Sequence, residues 1–305
     1  MQRVTSLAPT DEHVLAELAQ LRGRIALKRA QNEESAAAYS EALTRMRRVG
    51  DRAGEAHALH GLGDAEKLLG MMDDSLRHYE AAVVLFDELE MVVEAARVRM
   101  GVADVVRRRG ELDRAAAIIE GSLPIIRRMN NRHALAVALN TLGDIARARG
   151  DLAGAEAYYA EAYAELSALG SGEASIIHLN LGLTQIERER WEEAARTFSL
   201  ARRELAESGR RGYLVFALAG LWACAAAART WGYYDALTLE ITALAAEVPV
   251  VDDDLAFLFD RTTRVVVAAG ERERAAPALE LATAQWRALE RHEEARALEA
   301  AARAE

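Results

Sequence analysis

Cysteine, proline, lysine and aromatic residues are all scarce in this sequence, and each shortage removes a class of protein. Cys224 is the only cysteine, so the chain can form neither an internal disulfide nor a cysteine-built zinc site. Four prolines in 305 residues leave room for long uninterrupted helices. Aromatic residues make up 6%, which disfavours a β-sandwich and favours a helical protein packed with alanine and leucine. No run of about 18 uncharged apolar residues is present, so no membrane span is expected. The opening stretch MQRVTSLAPTDEHV lacks the apolar segment of a signal peptide, which makes the cytoplasm the expected location. Lys28 and Lys67 are the only lysines, and the arginine and alanine richness suits a GC-rich bacterial genome. A net charge of −10 repels duplex DNA and anionic membrane, so neither nucleic acid nor membrane is expected as a partner.

What the chain has instead is 51% apolar residues arranged in a long internal repeat. The stretch NTLGDIARARGDLAGAEAYYAEA, from Asn140, is nearly respelled around Leu62 and Leu181. Turn positions are expected at Ala30, Gly70, Gly110, Gly150, Glu189, Gly232 and Gly270, a period of about 40. Nine positions after each comes a large apolar residue: Tyr39, Tyr79, Ile119, Tyr159, Phe198, Ile241, Leu279. Seven positions before each turn the residue is usually small: Gly23, Gly63, Ala103, Gly143, Gly182, Ala225.

Small residues let two helices approach, and the large residue fills the space between that pair and the next. Glycine ends the first helix where a left-handed backbone is needed, and acids such as Glu111 and Asp151 favour the start of the second. Each unit therefore reads as helix, tight turn, helix, longer turn. One first helix is expected from about His133 to Arg149 and its second from about Leu152 to Leu169, each roughly 25 Å long at 1.5 Å per residue. A single hairpin cannot bury its apolar face, but seven stacked hairpins build one continuous core.

The spelling Leu142-Gly143, Gly150, Ala155, Tyr159 and Ala162 resembles the tetratricopeptide repeat family over about residues 15–291, most strongly from 56 to 205. The resemblance implies an all-α, right-handed superhelical solenoid of about seven antiparallel helix pairs that binds protein or peptide. The period here is about 40 rather than the family's usual 34, and the proline that usually closes a unit is missing. Repeats of this length resemble those of bacterial signalling proteins, including peptide-sensing regulators. The stretches WACAAAARTW and AQWRALER also resemble repeat tails of bacterial Ser/Thr kinases.

The expected organisation is a flexible N-terminus over 1–12, a repeat array over 13–291 and a capping helix over 292–305. The last two units, from about 213, are degenerate, with Cys224-Ala225 and Thr262-Thr263 in place of Leu-Gly. Pro124 should kink a second helix. Residues 247–254, with Pro249 and three aspartates, read as a capped interhelical loop, the alternative being an acidic docking loop or cation site.

No catalytic constellation emerges, and no cofactor or metal is expected. Gly61-Leu62-Gly63 lacks the preceding strand and third glycine of a dinucleotide loop. His57 and His60 are three apart, not the four of a zinc-protease helix. Cys224 has apolar neighbours and reads as an inert buried thiol. No phosphate-binding loop occurs, and the His-Arg-Asp and Asp-Phe-Gly signatures of kinases are absent. The arginine runs at 47–48, 107–109 and 127–128 fall at expected helix C-termini, where positive charge complements the dipole.

In the family the first helices line the concave groove, with inward sites spaced 3-4-3. Carried onto this chain, they are His57, His60, Asp64 and Lys67, then Arg97, Met100, Asp104 and Arg107, then Val137, Asn140, Asp144 and Arg147. Asn140 and Asn180 lie near positions where related repeats hold a peptide backbone through a side-chain amide. Two ladders recur with the period of the repeat: Asp64, Asp104, Asp144, and Lys67, Arg107, Arg147. Pairing along each helix would make this a self-neutralised face. Left free, the same charges would line a groove for a protein or peptide. A homo-oligomer is compatible with the sequence.

Overall fold

The computed structural model describes residues 11–169 and 173–303. Among these residues there are fifteen helices and no strand: α1 (Glu12–Lys28), α2 (Asn32–Val49), α3 (Arg52–Leu68), α4 (Met72–Glu88), α5 (Val92–Arg108), α6 (Leu112–Arg128), α7 (Arg132–Ala148), α8 (Leu152–Ser167), α9 (Ala174–Glu187), α10 (Trp191–Glu207), α11 (Arg211–Ala227), α12 (Trp231–Glu247), α13 (Asp253–Ala268), α14 (Arg272–Ala288) and α15 (His292–Arg303). The fold is all-α, made of antiparallel hairpins stacked as in a solenoid, with odd-numbered first helices and even-numbered second helices. Of the N-terminus expected to be flexible, residues 1–10 lie outside the described residues; Asp11 already caps α1 and Glu12 begins it. The helices gather into two compact units, one up to Ala138 and one from Leu139.

The turns differ from expectation in an instructive way. The chain enters the left-handed region at one helix junction after another: Ala30, Gly50, Gly70, Glu90, Gly110, Asn130 and onward. Along this stretch the turns between hairpins are as tight as those within them, in place of the longer second turn expected. A longer link does precede α13, over 248–252. The tight turns close alike: Met71 N–H donates to Glu66 O at 2.9 Å, and Met91 N–H to Phe86 O at 2.8 Å. Between hairpins the left-handed residue is often Glu90, Asn130 or Glu290 rather than glycine, so the punctuation is invisible to a search for glycine. Asp51 and Asp151 cap the following helices by accepting from the N–H groups of Gly54 and Gly154. Helix α6 runs on through Pro124.

In the hairpins α1–α2, α3–α4, α7–α8 and α9–α10, packing rests on a glycine of the first helix set against a ring of the second. A Cβ added to Gly63 would lie 2.7 Å from the Tyr79 ring, and one on Gly143 2.5 Å from Tyr159. Only glycine admits the ring there. Tyr79 also presses on Gly101 of the next first helix, as Tyr39 does on Gly61 and Phe198 on Gly220. Ser75 lies beside this junction and its buried hydroxyl donates to Gly63 O at 2.8 Å.

The sixth hairpin inverts that volume relation. Its left-handed turn is Arg229, and Gly232 lies inside α12, so the turn falls three positions before the one expected. The true partners are Trp222 and Thr238. The large residue sits on the first helix, the small one on the second, and Trp222 Nε1 donates to Thr238 Oγ1 at 2.9 Å. Trp222 stacks on Tyr234 at 5.3 Å and meets Phe259 edge-on at 6.2 Å. It is the centre of α11, a helix buried from Val215 to Ala226 except at Phe216. A helix apolar on all sides belongs in a core, and α11 packs against α9, α10, α12 and α13.

Candidate functional site

In the unit up to Ala138, the first helices α1, α3 and α5 present the charged positions on one face. A cavity of about 710 Å³ opens there, lined by Glu17, Gln20, Arg24 and Leu27 of α1, His57, His60 and Asp64 of α3, and Arg97 of α5. The α1 residues lie one period before His57, His60, Asp64 and Lys67, so the repeat register would have named them had it been carried to the first hairpin. Lys28 and Leu21 complete that wall.

Asp64 and Asp104 of this face are already engaged, while Glu17 has only exposed His13 at 3.6 Å. Asp64 accepts from Tyr79 Oη at 2.5 Å and has His60 Nε2 at 3.6 Å. Asp104 holds Lys67 at 3.3 Å, Arg107 at 3.0 Å and Arg108 at 3.3 Å. Burial pushes the Asp104 carboxyl up, but Lys67 and the two arginines outweigh it and hold it below its usual range. The pairing along one helix is therefore real for Arg107, whereas Lys67 reaches across to the next first helix. Arg24, Lys28 and Arg97 carry no ion pair among the described residues. Burial lowers the His60 pKa, with Asp64 pulling the other way, and so keeps the ring neutral near pH 7. His57 is lowered in the same sense and packs edge-on against Phe86 at 5.0 Å. Burial pushes Tyr39, at the floor of the cavity, up to about 12, with Asp64 adding and Arg24 opposing. Met100 is half-buried on α5.

In the unit from Leu139 the corresponding side chains are tied to one another. Asn180 Nδ2 donates to Asn140 Oδ1 at 2.9 Å, and Tyr159 Oη donates to Asp144 at 2.9 Å. Arg147 donates to Glu187 at 2.8 Å and to both carboxylate oxygens of Asp254 at 2.8 and 2.9 Å. Nη2 reaches both Asp254 oxygens while Nη1 takes Glu187, so the charge-assisted bonds are shared between two acids. Burial alone would lower the Arg147 pKa, but Asp254 and Glu187 raise it further above its already high value. Burial pushes the Asp254 carboxyl upward, against Arg147. Beside this pair lies a cavity of about 130 Å³ lined by Leu179, Asn180, Phe198, Tyr213, Phe216 and Asp254, among others.

The acidic loop at 247–254 is a capped connection. Asp252 accepts from the N–H groups of Asp254 and Leu255, Asp253 pairs with Arg291 at 3.0 Å, and Asp254 takes Arg147. Gln285 braces the loop through Val250 O at 2.6 Å. No cluster of three metal-ligating side chains occurs among the described residues. Cys224 is buried, and burial pushes its thiol up to about 12, far from a reactive thiolate. No helix among the described residues is long and apolar enough to cross a membrane.

Residues 94–164 match the family model described as tetratricopeptide repeat. No curated protein matches the chain. Solved structures share the fold at low identity. A signal transduction ATPase with a tetratricopeptide repeat sensor, from Pyrococcus horikoshii, aligns with TM-score 0.70 and 14% identity, over 95% of this chain and 50% of that one. The apo quorum sensor NprR from B. thuringiensis aligns at 0.64 and 11%, over 97% and 88%. A Rap protein complexed with competence and sporulation factor aligns at 0.62 and 15%, over 96% and 75%.

Proposed function

We propose that this chain, a member of the tetratricopeptide-repeat family, is a non-catalytic scaffold that holds a protein or peptide segment on the α1–α3–α5 face of its first unit. The observation that carries the proposal is the 710 Å³ cavity, where Arg24, Lys28 and Arg97 outnumber the carboxylates of Glu17 and Asp64, Asp64 is taken by Tyr79, and the three cations have no ion pair among the described residues. A surface with a surplus of unpaired cations selects an acidic segment, in a protein whose net charge is otherwise −10. His57, His60, Asp64, Lys67, Asp104 and Arg107 form the rest of this face. Asn140, Asp144, Arg147 and Asn180 belong to the tied cluster of the second unit, where a ligand would first have to displace an internal partner. The Rap protein with its bound factor and the quorum sensor support a binding role by likeness of fold.

Titration calorimetry of the whole chain against acidic and basic peptides of matched length tests this. Acidic peptides should bind, weaken with salt, and lose tenfold or more, about 1.4 kcal/mol, with Arg97→Glu. Equal binding of both peptide sets, or indifference to Arg97→Glu, would sink the proposal. A second reading, a ligand-sensing arm of a bacterial kinase or transcription regulator in the cytoplasm, draws on the likeness to the ATPase with a repeat sensor. It requires an output domain encoded with or beside this chain, which the genomic neighbourhood checks.

A further inference from the structure

Helix α1 carries an apolar stripe that the described residues leave uncovered. Val14, Leu18, Leu21 and Ile25 are 37, 43, 42 and 43% exposed, on the side of the helix away from Ala16, Ala19, Gly23 and Ala26, which pack on the rest of the unit. One period on, the equivalent positions of α3 are Gly54, Ala58, Gly61 and Ala65, all buried. There the preceding second helix presses so closely that a Cβ on Gly54 would strike Met46 and one on Gly61 would strike Tyr39. Where α3 stacks on α2 the positions are small; on α1 they are large. The stripe therefore does not fit a second helix packed as closely as α2 is on α3. Its 4-3-4 spacing is that of alternating core positions in a two-helix seam.

We propose that this stripe pairs with the same stripe of a second copy of the chain, the two α1 helices lying antiparallel about a two-fold axis. Charge self-complementarity singles out a second copy as the occupant. With Leu18 opposite Leu21 of the other copy, Val14 falls opposite Ile25. Glu17 and Arg24, two turns apart on one flank of the stripe, then face each other across the seam twice. Among the described residues Arg24 has no ion pair, and Glu17 has only exposed His13 at 3.6 Å. An isologous contact needs this kind of match, in which residue i meets j and j meets i. Four apolar side chains from each copy make a small interface, so association is reversible and concentration-dependent. Glu17, Leu21 and Arg24 lie where the stripe and the groove meet, whereas Arg97, on which the groove's peptide selectivity is tested, is on α5 and outside the seam.

Sedimentation equilibrium of the whole chain over a wide concentration range is the test, with far-UV dichroism confirming that each variant keeps its helices. The wild-type chain should pass from monomer to dimer. Leu18→Glu should weaken dimerisation tenfold or more. Glu17→Arg and Arg24→Glu should each weaken it, and the two together should restore it. A chain that stays monomeric throughout would overturn the proposal, whether the stripe is covered by residues 1–10 or by another protein. A dimer indifferent to Leu18→Glu would move the interface elsewhere and overturn it too. Restoration of Glu17→Arg by Arg22→Glu instead of Arg24→Glu would mean a parallel pair and overturn the antiparallel one.

Discussion

Lys67 in the first unit and Arg147 in the second end equivalent first helices and meet different fates. Lys67 has one carboxylate, Asp104, at 3.3 Å and shares it with Arg107 and Arg108. Arg147 has two carboxylates to itself, Glu187 on α9 and Asp254 far along the chain on α13. The first unit thus keeps cations over and an open cavity, while the second spends its central cation on its own architecture. One repeat can therefore yield a binding face or an internal brace, according to whether a remote acid comes within reach.

The contrast between the units can be broken most forcefully at the inverted pair. Trp222→Gly should destabilise the chain by about 3–5 kcal/mol through the cavity it leaves, read by chemical denaturation. Adding Thr238→Tyr, which recreates the arrangement of Gly63 and Tyr79, should recover part of that loss. No recovery would mean that the two arrangements are not interchangeable. The ion pairs come next. Arg147→Met strands Asp254 and Glu187 and should cost about 3 kcal/mol, whereas Lys67→Met leaves Asp104 with two arginines and should cost under about 1 kcal/mol. Equal losses would erase the distinction between brace and open face.

The glycine positions are common to both units. Gly63→Leu and Gly143→Leu should each cost about 1–3 kcal/mol by forcing Tyr79 or Tyr159 aside, seen as a lowered thermal midpoint. An unchanged midpoint would contradict the close approach. The smallest effect expected is the pH response of His60. Burial makes the folded chain hold this proton less tightly than the unfolded chain does. Stability is therefore complete above about pH 6.5, the unfolded value, and declines as pH falls toward the lower folded value. Asp64 opposes the shift, while Arg97, His57 and Lys67 reinforce it. His60→Gln should flatten part of the decline as pH falls through and below the ordinary histidine range in urea titrations, and an unchanged slope would exclude His60 as a source.

The repeat is legible because its volume relation is written in residue types, a glycine on one helix and a large side chain at a fixed place on the next. Legibility fails where that relation changes sign. The sixth hairpin trades the two volumes, and its turn is made by Arg229, so a search for glycine slides on to Gly232. The tight turns between hairpins are hidden for the same reason, since Glu90 and Asn130 adopt the left-handed conformation that glycine advertises. In the candidate site, the α3 and α5 residues follow from the register, and the α1 wall could have. The Arg147–Asp254 pair could not, because no multiple of the period links the two and only the folded chain brings them together.

Tyr39, Tyr79 and Phe198 each need a glycine ahead of them and a glycine behind, the second belonging to the following hairpin. The interchangeable part is consequently not the hairpin bounded by its turns. It is a half-step frame that begins inside one second helix and ends inside the next, so that ring and receiving glycine travel together. A duplication or graft cut at the turns joins a ring to whatever residue the new neighbour offers. The α11–α12 hairpin is the case in point: Gly220 on its entry side accepts a ring from Phe198, but the ring that meets α13 is Trp222 of its own first helix, edge-on to Phe259. It can follow a standard hairpin and cannot stand in for one, which gives the array a direction in which it can be lengthened.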